Sequence, residues 1–136
     1  MKIKDILLVE DDQSVKVLEE LMLKSKDYSF DSVDNSVDAC RLLKDTYYKV
    51  IILDIRLDEP ARRVDFERCD SVNGVELCLK IREAETQGLR PPAKIFAITG
   101  LKTLTTQANL CIAGFDAVFD KPFDWPAMFD AINLEV

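Results

Sequence analysis

The run Val50-Ile51-Ile52-Leu53 has no polar position and stops abruptly at Asp54. A strand covered on both faces of a parallel sheet has this continuous apolar character, whereas a strand covered on one face alternates. Ile6 to Val9 repeats the pattern and stops at Glu10-Asp11-Asp12. Ile95 to Ile98 repeats it again and is followed directly by Thr99-Gly100. Runs this short fit a buried helical turn as well as a strand, so the segments between them carry the rest of the reading.

Those segments change period. Val15, Leu18 and Met22, flanked by Val17 and Leu21, predict an amphipathic helix over 14–25. Tyr28 to Val33 alternates and predicts an edge strand, and Val37, Cys40 and Leu43 mark a helix over 36–46. From Gly74 the helical period returns through Val75, Cys78, Leu79 and Arg82 to near Gly88. Leu104, Ala108 and Cys111 form a shorter helical stripe, Phe115 to Phe119 reads as a second edge strand, and Asp124 with Pro126 starts a last helix. Five strands alternating with five helices predict a doubly wound α/β fold on a five-stranded parallel sheet. Ile55 to Asn73 interrupts the alternation as a long charged loop, the kind that in a compact domain usually works or moves.

A chain of 136 residues suits one domain, here 1–136, with a core large enough to need no disulfide or metal. Eighteen basic against 25 acidic residues give a net charge of -7, and no cationic helix face is visible, which argues against direct nucleic-acid or membrane binding. Cys40, Cys69, Cys78 and Cys111 show no CxxC spacing and there is no histidine, so a reduced, cytoplasmic protein without a zinc site is expected. The cysteines are expected to be small buried hydrophobes, except Cys69 in the loop. No apolar run reaches membrane-spanning length.

The chemistry gathers at strand ends. Glu10 and Asp11 follow the first strand, Asp54 the third, Thr99 the fourth and Lys121 the fifth, and in a parallel sheet these ends open on one edge. Three close carboxylates repel unless a hard cation or a cationic side chain compensates them, and Mg²⁺ suits oxygen ligands. A metal, an ammonium and a hydroxyl together suit a phosphoryl group, with one carboxylate free to attack phosphorus. Asp12 reads as the start of the first helix.

These residues resemble the receiver domain of two-component response regulators over nearly the whole chain. Glu10-Asp11 after Leu7-Leu8-Val9 is similar to that family's acidic pair, Asp54 to its phosphoacceptor, Thr99-Gly100 to its hydroxyl residue and small follower, and Lys121-Pro122 to its lysine-proline pair. The intervals from Asp11 to Asp54 and from Thr99 to Lys121 also match the family's usual spacing. The resemblance implies a flavodoxin-like (βα)5 fold and Mg²⁺ held by Glu10, Asp11, Asp54 and the Arg56 backbone carbonyl. It further implies a phosphoryl donor that is a histidine kinase or a His-phosphotransfer protein, and Thr99 and Phe119 as the switch pair. The output of such a phosphorelay is a changed interaction surface on the fourth helix, fifth strand and fifth helix, with homodimerisation left open. A stand-alone receiver is expected, one that transfers and hydrolyses its own phosphoryl group without being an enzyme on a separate substrate. This sequence departs from the family after Asp54: Leu57-Asp58 replaces the usual Met-Pro, and the matching glycine is Gly74, which implies an insertion at about 58–73. The lack of GxxxxGK[ST] argues against a P-loop nucleotidase, and Arg56 where the second Asp belongs argues against a haloacid-dehalogenase-type phosphatase. The remaining alternative is a pseudo-receiver that binds partners without phosphorylation.

Overall fold

The structure is a computed structural model that describes residues 1–55, 74–100, 103–121 and 124–136. Ten elements alternate along it: β1 (Lys2–Val9), α1 (Gln13–Lys24), β2 (Phe30–Val33), α2 (Ser36–Asp45), β3 (Thr46–Asp54), α3 (Gly74–Thr86), β4 (Lys94–Thr99), α4 (Leu104–Ala113), β5 (Ala117–Asp120) and α5 (Trp125–Asn133). All neighbouring strands pair in parallel in the order β2-β1-β3-β4-β5. This is the doubly wound five-stranded fold expected from the alternation of periods.

The three continuous apolar runs occupy the three central strands, and their successive side chains divide between two cores. Leu7, Ile51, Leu53, Ile95 and Ala97 point to one face, where Leu43, Leu77, Ile81 and Leu110 of α2, α3 and α4 cover them. Ile6, Leu8, Val50, Ile52, Phe96 and Ile98 point to the other, beneath Leu23 of α1 and Met128, Phe129 and Ile132 of α5. Because both faces are covered, no position in these runs can be polar. The edge strands β2 and β5 are only partly buried along their apolar positions, which is why their sequences alternate.

Several boundaries and faces differ from the expectation. β1 starts at Lys2 and β3 at Thr46, and their early halves pair Lys2 with Thr46 and Lys4 with Tyr48 beyond the apolar runs. Tyr28 and Phe115 precede their strands rather than opening them. Asp12 caps α1 by accepting from Ser14 N–H and Val15 N–H. The inner face of α1 is Glu19 and Leu23 with Met22 beside them, while Val17, Leu18 and Leu21 are exposed, so Leu18 is not a core residue. On α4 the stripe Leu104, Ala108 and Cys111 faces solvent and Leu110 is buried. Cys111 is therefore exposed, against expectation, whereas Cys40 and Cys78 are buried. Leu79 of α3 also faces outward. In both α1 and α4 apolar residues surround more than one side of the helix, and the sheet, not the period, selects the inner face.

Among the described residues no helix is long and apolar enough to cross a membrane. The expected insertion at about 58–73, together with Arg56 and Cys69, lies outside the described residues.

Candidate functional site

Register brings the strand ends together. Val9 pairs with Leu53, Asp54 with Ile98 and Thr99 with Asp120, so Glu10, Asp54, Thr99 and Lys121 all leave the sheet at its carboxyl edge. Backbone bonds fix these exits. Glu10 N–H donates to Val33 O at 3.0 Å, Ile55 N–H to Ile98 O at 2.8 Å, and Lys121 N–H to Thr99 O at 3.0 Å.

The side chains converge on an acidic cluster. One oxygen each of Glu10, Asp11 and Asp54 lie within 4.8 Å of one another, with Glu10 buried, Asp11 exposed and Asp54 between. Lys121 Nζ reaches 2.5 Å from Asp54 Oδ1 and 3.2 Å from Glu10 Oε1. Glu10 Oε1 also accepts from Asp12 N–H at 3.3 Å, which ties it to the cap of α1. Thr99 is buried at the end of β4 and Phe119, half-buried opposite Ile98, packs edge-on against Phe96 at 5.7 Å.

The electrostatics report an excess of acid. Burial raises Asp54 to about 7; sharing a hydrogen bond with Asp11 and facing Glu10 add to the rise, while Lys121 opposes it. Burial alone would lower the Lys121 ammonium, but its hydrogen bond to Asp54 and the charges of Asp54 and Glu10 leave it raised. One ammonium thus only partly compensates the acids around it. A small divalent cation fits this donor set, being all oxygen, anionic and convergent at the sheet edge.

Two further residues belong to the neighbourhood. Gly74 opens α3 against the backbone of Asp54, where an added Cβ would stand 3.0 Å from Asp54 O and collide with the Ile55 side chain. Glu19 of α1 is 2 % exposed and faces Glu10 from behind. Burial, then the charge of Glu10, raises Glu19 to about 8; Lys121 opposes this, and Asp54 and a hydrogen bond with Glu10 add to it. Glu19 is not marked by the apolar stripe that predicts α1. The signal lay in the i, i+4 row Val15-Glu19-Leu23, which competes with the row Val15-Leu18-Met22.

Comparison with known proteins places this geometry in context. A family model described as the response regulator receiver domain matches residues 6–133. The Response regulator ArlR of Staphylococcus aureus (strain Mu50 / ATCC 700699) is 30% identical over 119 residues, which are 88% of this chain and 46% of that protein. The chain thus spans about half the length of the curated relatives it matches. A chain of the co-crystal structure of the Saccharomyces cerevisiae histidine phosphotransfer signaling protein Ypd1 with the receiver domain of its downstream response regulator Ssk1 superposes with a TM-score of 0.80. It is 21% identical, over 98% of this chain and 88% of that one. A response regulator protein from Burkholderia pseudomallei, solved with a phosphorylated aspartic acid, calcium ion and citrate, gives a TM-score of 0.72 at 19% identity over 95% of this chain and 66% of that one.

Proposed function

Because the chain belongs to the response regulator receiver domain family, we propose that it accepts a phosphoryl group on Asp54 and relays it as a change in a protein-binding surface. The observation that carries this reading is Lys121 Nζ at 2.5 Å from Asp54 Oδ1 within a ring of three acids at strand ends. In this reading the donor is a phosphohistidine of a histidine kinase or His-phosphotransfer protein, and it lies on another protein or domain because this chain holds no histidine. An Asp54 oxygen attacks phosphorus, the new O–P bond forms as the donor's N–P bond breaks, and the imidazole leaves. Mg²⁺ held by Glu10, Asp11, Asp54 and the Arg56 carbonyl would neutralise phosphoryl oxygens during the transfer. Lys121 pairs with the same oxygens, and Thr99 donates its hydroxyl to one of them after transfer.

In this reading the response runs through Thr99 and Phe119. Thr99 turning toward the phosphoryl group frees space near Phe119, and the inward turn of that ring shifts a two-state equilibrium on the α4-β5-α5 face. Exposed Leu104 and Ile112 on α4 support that face as the one that meets a target protein or a second copy. The protein turns over no separate substrate, so the reading is a signalling switch rather than an enzyme. A single receiver unit over 1–136 and a cytoplasmic setting belong to the same reading, the latter in keeping with four cysteines that show no CxxC spacing.

The test is intact-protein mass spectrometry after incubation with Mg²⁺ and a small-molecule phosphodonor, with Asp54→Ala beside the parent. One phosphoryl adduct on the parent and none on the variant is the expected result. No adduct, and no complex with a beryllium fluoride mimic, would favour a pseudo-receiver that binds partners without phosphorylation.

A further inference from the structure

The two ends of α4 are held differently. At its start Thr103 Oγ1 accepts from Thr106 N–H at 3.1 Å, a bond internal to the first turn. Positions 103–109 contain no buried side chain, and Leu104 is 85 % exposed. At its end Leu110 and Phe115 are buried in the core shared with α3. A helix leaves its last carbonyls without partners of its own. Here α3 supplies two of those partners: Cys78 Sγ stands 3.7 Å from Ala113 O, and Arg82 Nε donates to Gly114 O at 2.9 Å. The Arg82 charge also suits the negative end of the α4 dipole.

Arg82 reaches further than this cap. Its Nη1 donates to Ala93 O at 2.7 Å and to Glu85 Oε1 at 2.8 Å, and its Nη2 donates to Asp116 Oδ2 at 2.7 Å. Asp116 is in turn tied to β4, accepting from Ile95 N–H at 2.8 Å and donating its own N–H to Ile95 O at 2.8 Å. Gly114 lets the Arg82 stem pass closely: it adopts a φ of 113°, and a Cβ there would stand 2.9 Å from Arg82 Cγ. One planar fork thus joins the end of α3, the end of α4 and the entries to β4 and β5. A lysine's point charge does not serve four acceptors in these directions.

We propose that Arg82 is a positioning residue of the response, the pivot about which α4 swings. The end of α4 at Gly114 stays clamped to α3 and the sheet in both states, and the end at Leu104 carries the motion. The surface change then concentrates around Leu104, while Ile112 beside the pivot moves least. The role rests on the function proposed above, because the motion starts at Thr99, shortly before the Thr103 cap.

The experiment is NMR-detected hydrogen exchange on the full chain, alone and with Mg²⁺ and a beryllium fluoride mimic, with Arg82→Met beside the parent. Methionine keeps the apolar stem and removes the donors. In the parent alone, the amides of Cys111, Ile112 and Ala113 are expected to exchange about tenfold or more slowly than those of Ala108 and Asn109. The mimic should change the rates of Ala108 and Asn109 by about threefold or more and leave the other three within about twofold. In Arg82→Met those three rates should rise by about tenfold, more than the rates of Ile51 and Leu53 in β3, which report any general loss of stability. Phosphoryl uptake by the variant from a small-molecule phosphodonor should stay within about threefold of the parent, because Arg82 touches none of the acids, Thr99 or Lys121. Equal rates at the two ends of α4 in the parent overturn the proposal, as does an equal response of both ends to the mimic. So does an Arg82→Met variant in which the end of α4 gains no more than β3. The two parent readings decide the matter even if Arg82→Met does not fold. A parent that takes up neither phosphoryl nor the mimic overturns the function and Arg82's part in the response with it; the exchange of the protein alone then judges only the clamp.

Discussion

Lys121 Nζ approaches Asp54 Oδ1 to 2.5 Å and Glu10 Oε1 to only 3.2 Å, so its ammonium is directed chiefly at the side chain proposed to attack phosphorus. The two residues come from the ends of non-adjacent strands, β3 and β5, with Thr99 of β4 between them. A lysine that bridges this gap partly compensates the acids and, in the proposed reaction, would meet a phosphoryl oxygen.

Replacing Lys121 by Met should therefore act twice. In metal-free protein above pH 8 the buried acids lose their contact cation, and urea unfolding should show a loss on the order of 2 kcal/mol. Saturating Mg²⁺ should recover part of it, since a bound cation supplies the missing charge. Phosphoryl uptake should fall at least about tenfold even with Mg²⁺ present, because the donor aimed at the transferring group is gone. Equal stability of variant and parent would mean that the contact does not compensate the cluster.

The raised Asp54 gives a pH dependence whose sign is fixed. Its value of about 7 in the folded chain lies above the ordinary 3.8, chiefly through burial, with Asp11 and Glu10 adding. The folded state then holds a proton that the unfolded chain has released. The stability contributed by this group is full below the ordinary value and is lost as pH rises through about 7. Cation binding must expel the same proton, so Mg²⁺ affinity should increase with pH up to about 7 and level off above it. Calorimetry at pH 6 in two buffers of different ionisation enthalpy should detect proton release, and Asp54→Asn should abolish it. Binding at pH 6 with no proton released would refute the assignment.

The fold was legible in the sequence where physics left one solution. Continuous apolar runs set between helical segments read as strands covered on both faces, and the acids, Thr99 and Lys121 at the strand ends are brought to one edge by parallel pairing. Glu19 was not legible, because α1 carries Val15, Val17, Leu18, Leu21, Met22 and Leu23, and such a spread of apolar residues does not mark one face. A mid-helix glutamate among them reads as solvated until the sheet fixes the rotation of α1. The outward stripe of α4 escaped for the same reason. The early halves of β1 and β3 were missed because Lys2, Lys4, Thr46 and Lys49 break the continuous pattern there, although the ladder extends through them.

Gly74 should tolerate no side chain. A Cβ there meets Asp54 O at 3.0 Å and the Ile55 side chain more closely still, so Gly74→Ala must shift the start of α3 or the end of β3. Overpacking of this kind costs about 1–3 kcal/mol. The displaced end of β3 carries Asp54, so Mg²⁺ affinity should drop as well, by about tenfold. A variant that loses stability but binds Mg²⁺ like the parent would show that α3 yields and the acid does not.

Tyr48 separates scaffold from site. It is fully buried in β3 and its hydroxyl donates to Asp31 Oδ2 at 2.6 Å, while Lys4 Nζ holds Asp31 Oδ1 at 2.8 Å. Burial and the Asp31 carboxylate push the phenol further from ionisation, so it remains a donor throughout the range where the protein folds. Tyr48→Phe keeps the ring in the core and leaves Asp31 with its lysine, so the loss should sit near 1 kcal/mol. The contact lies in the half of β3 that pairs with the start of β1, away from the edge where Asp54 emerges. Phosphoryl uptake and Mg²⁺ affinity should therefore match the parent in protein that unfolds at lower urea. A matching fall in uptake would show that the two ends of β3 are coupled, and that the acidic cluster depends on strand register as well as on its own charges.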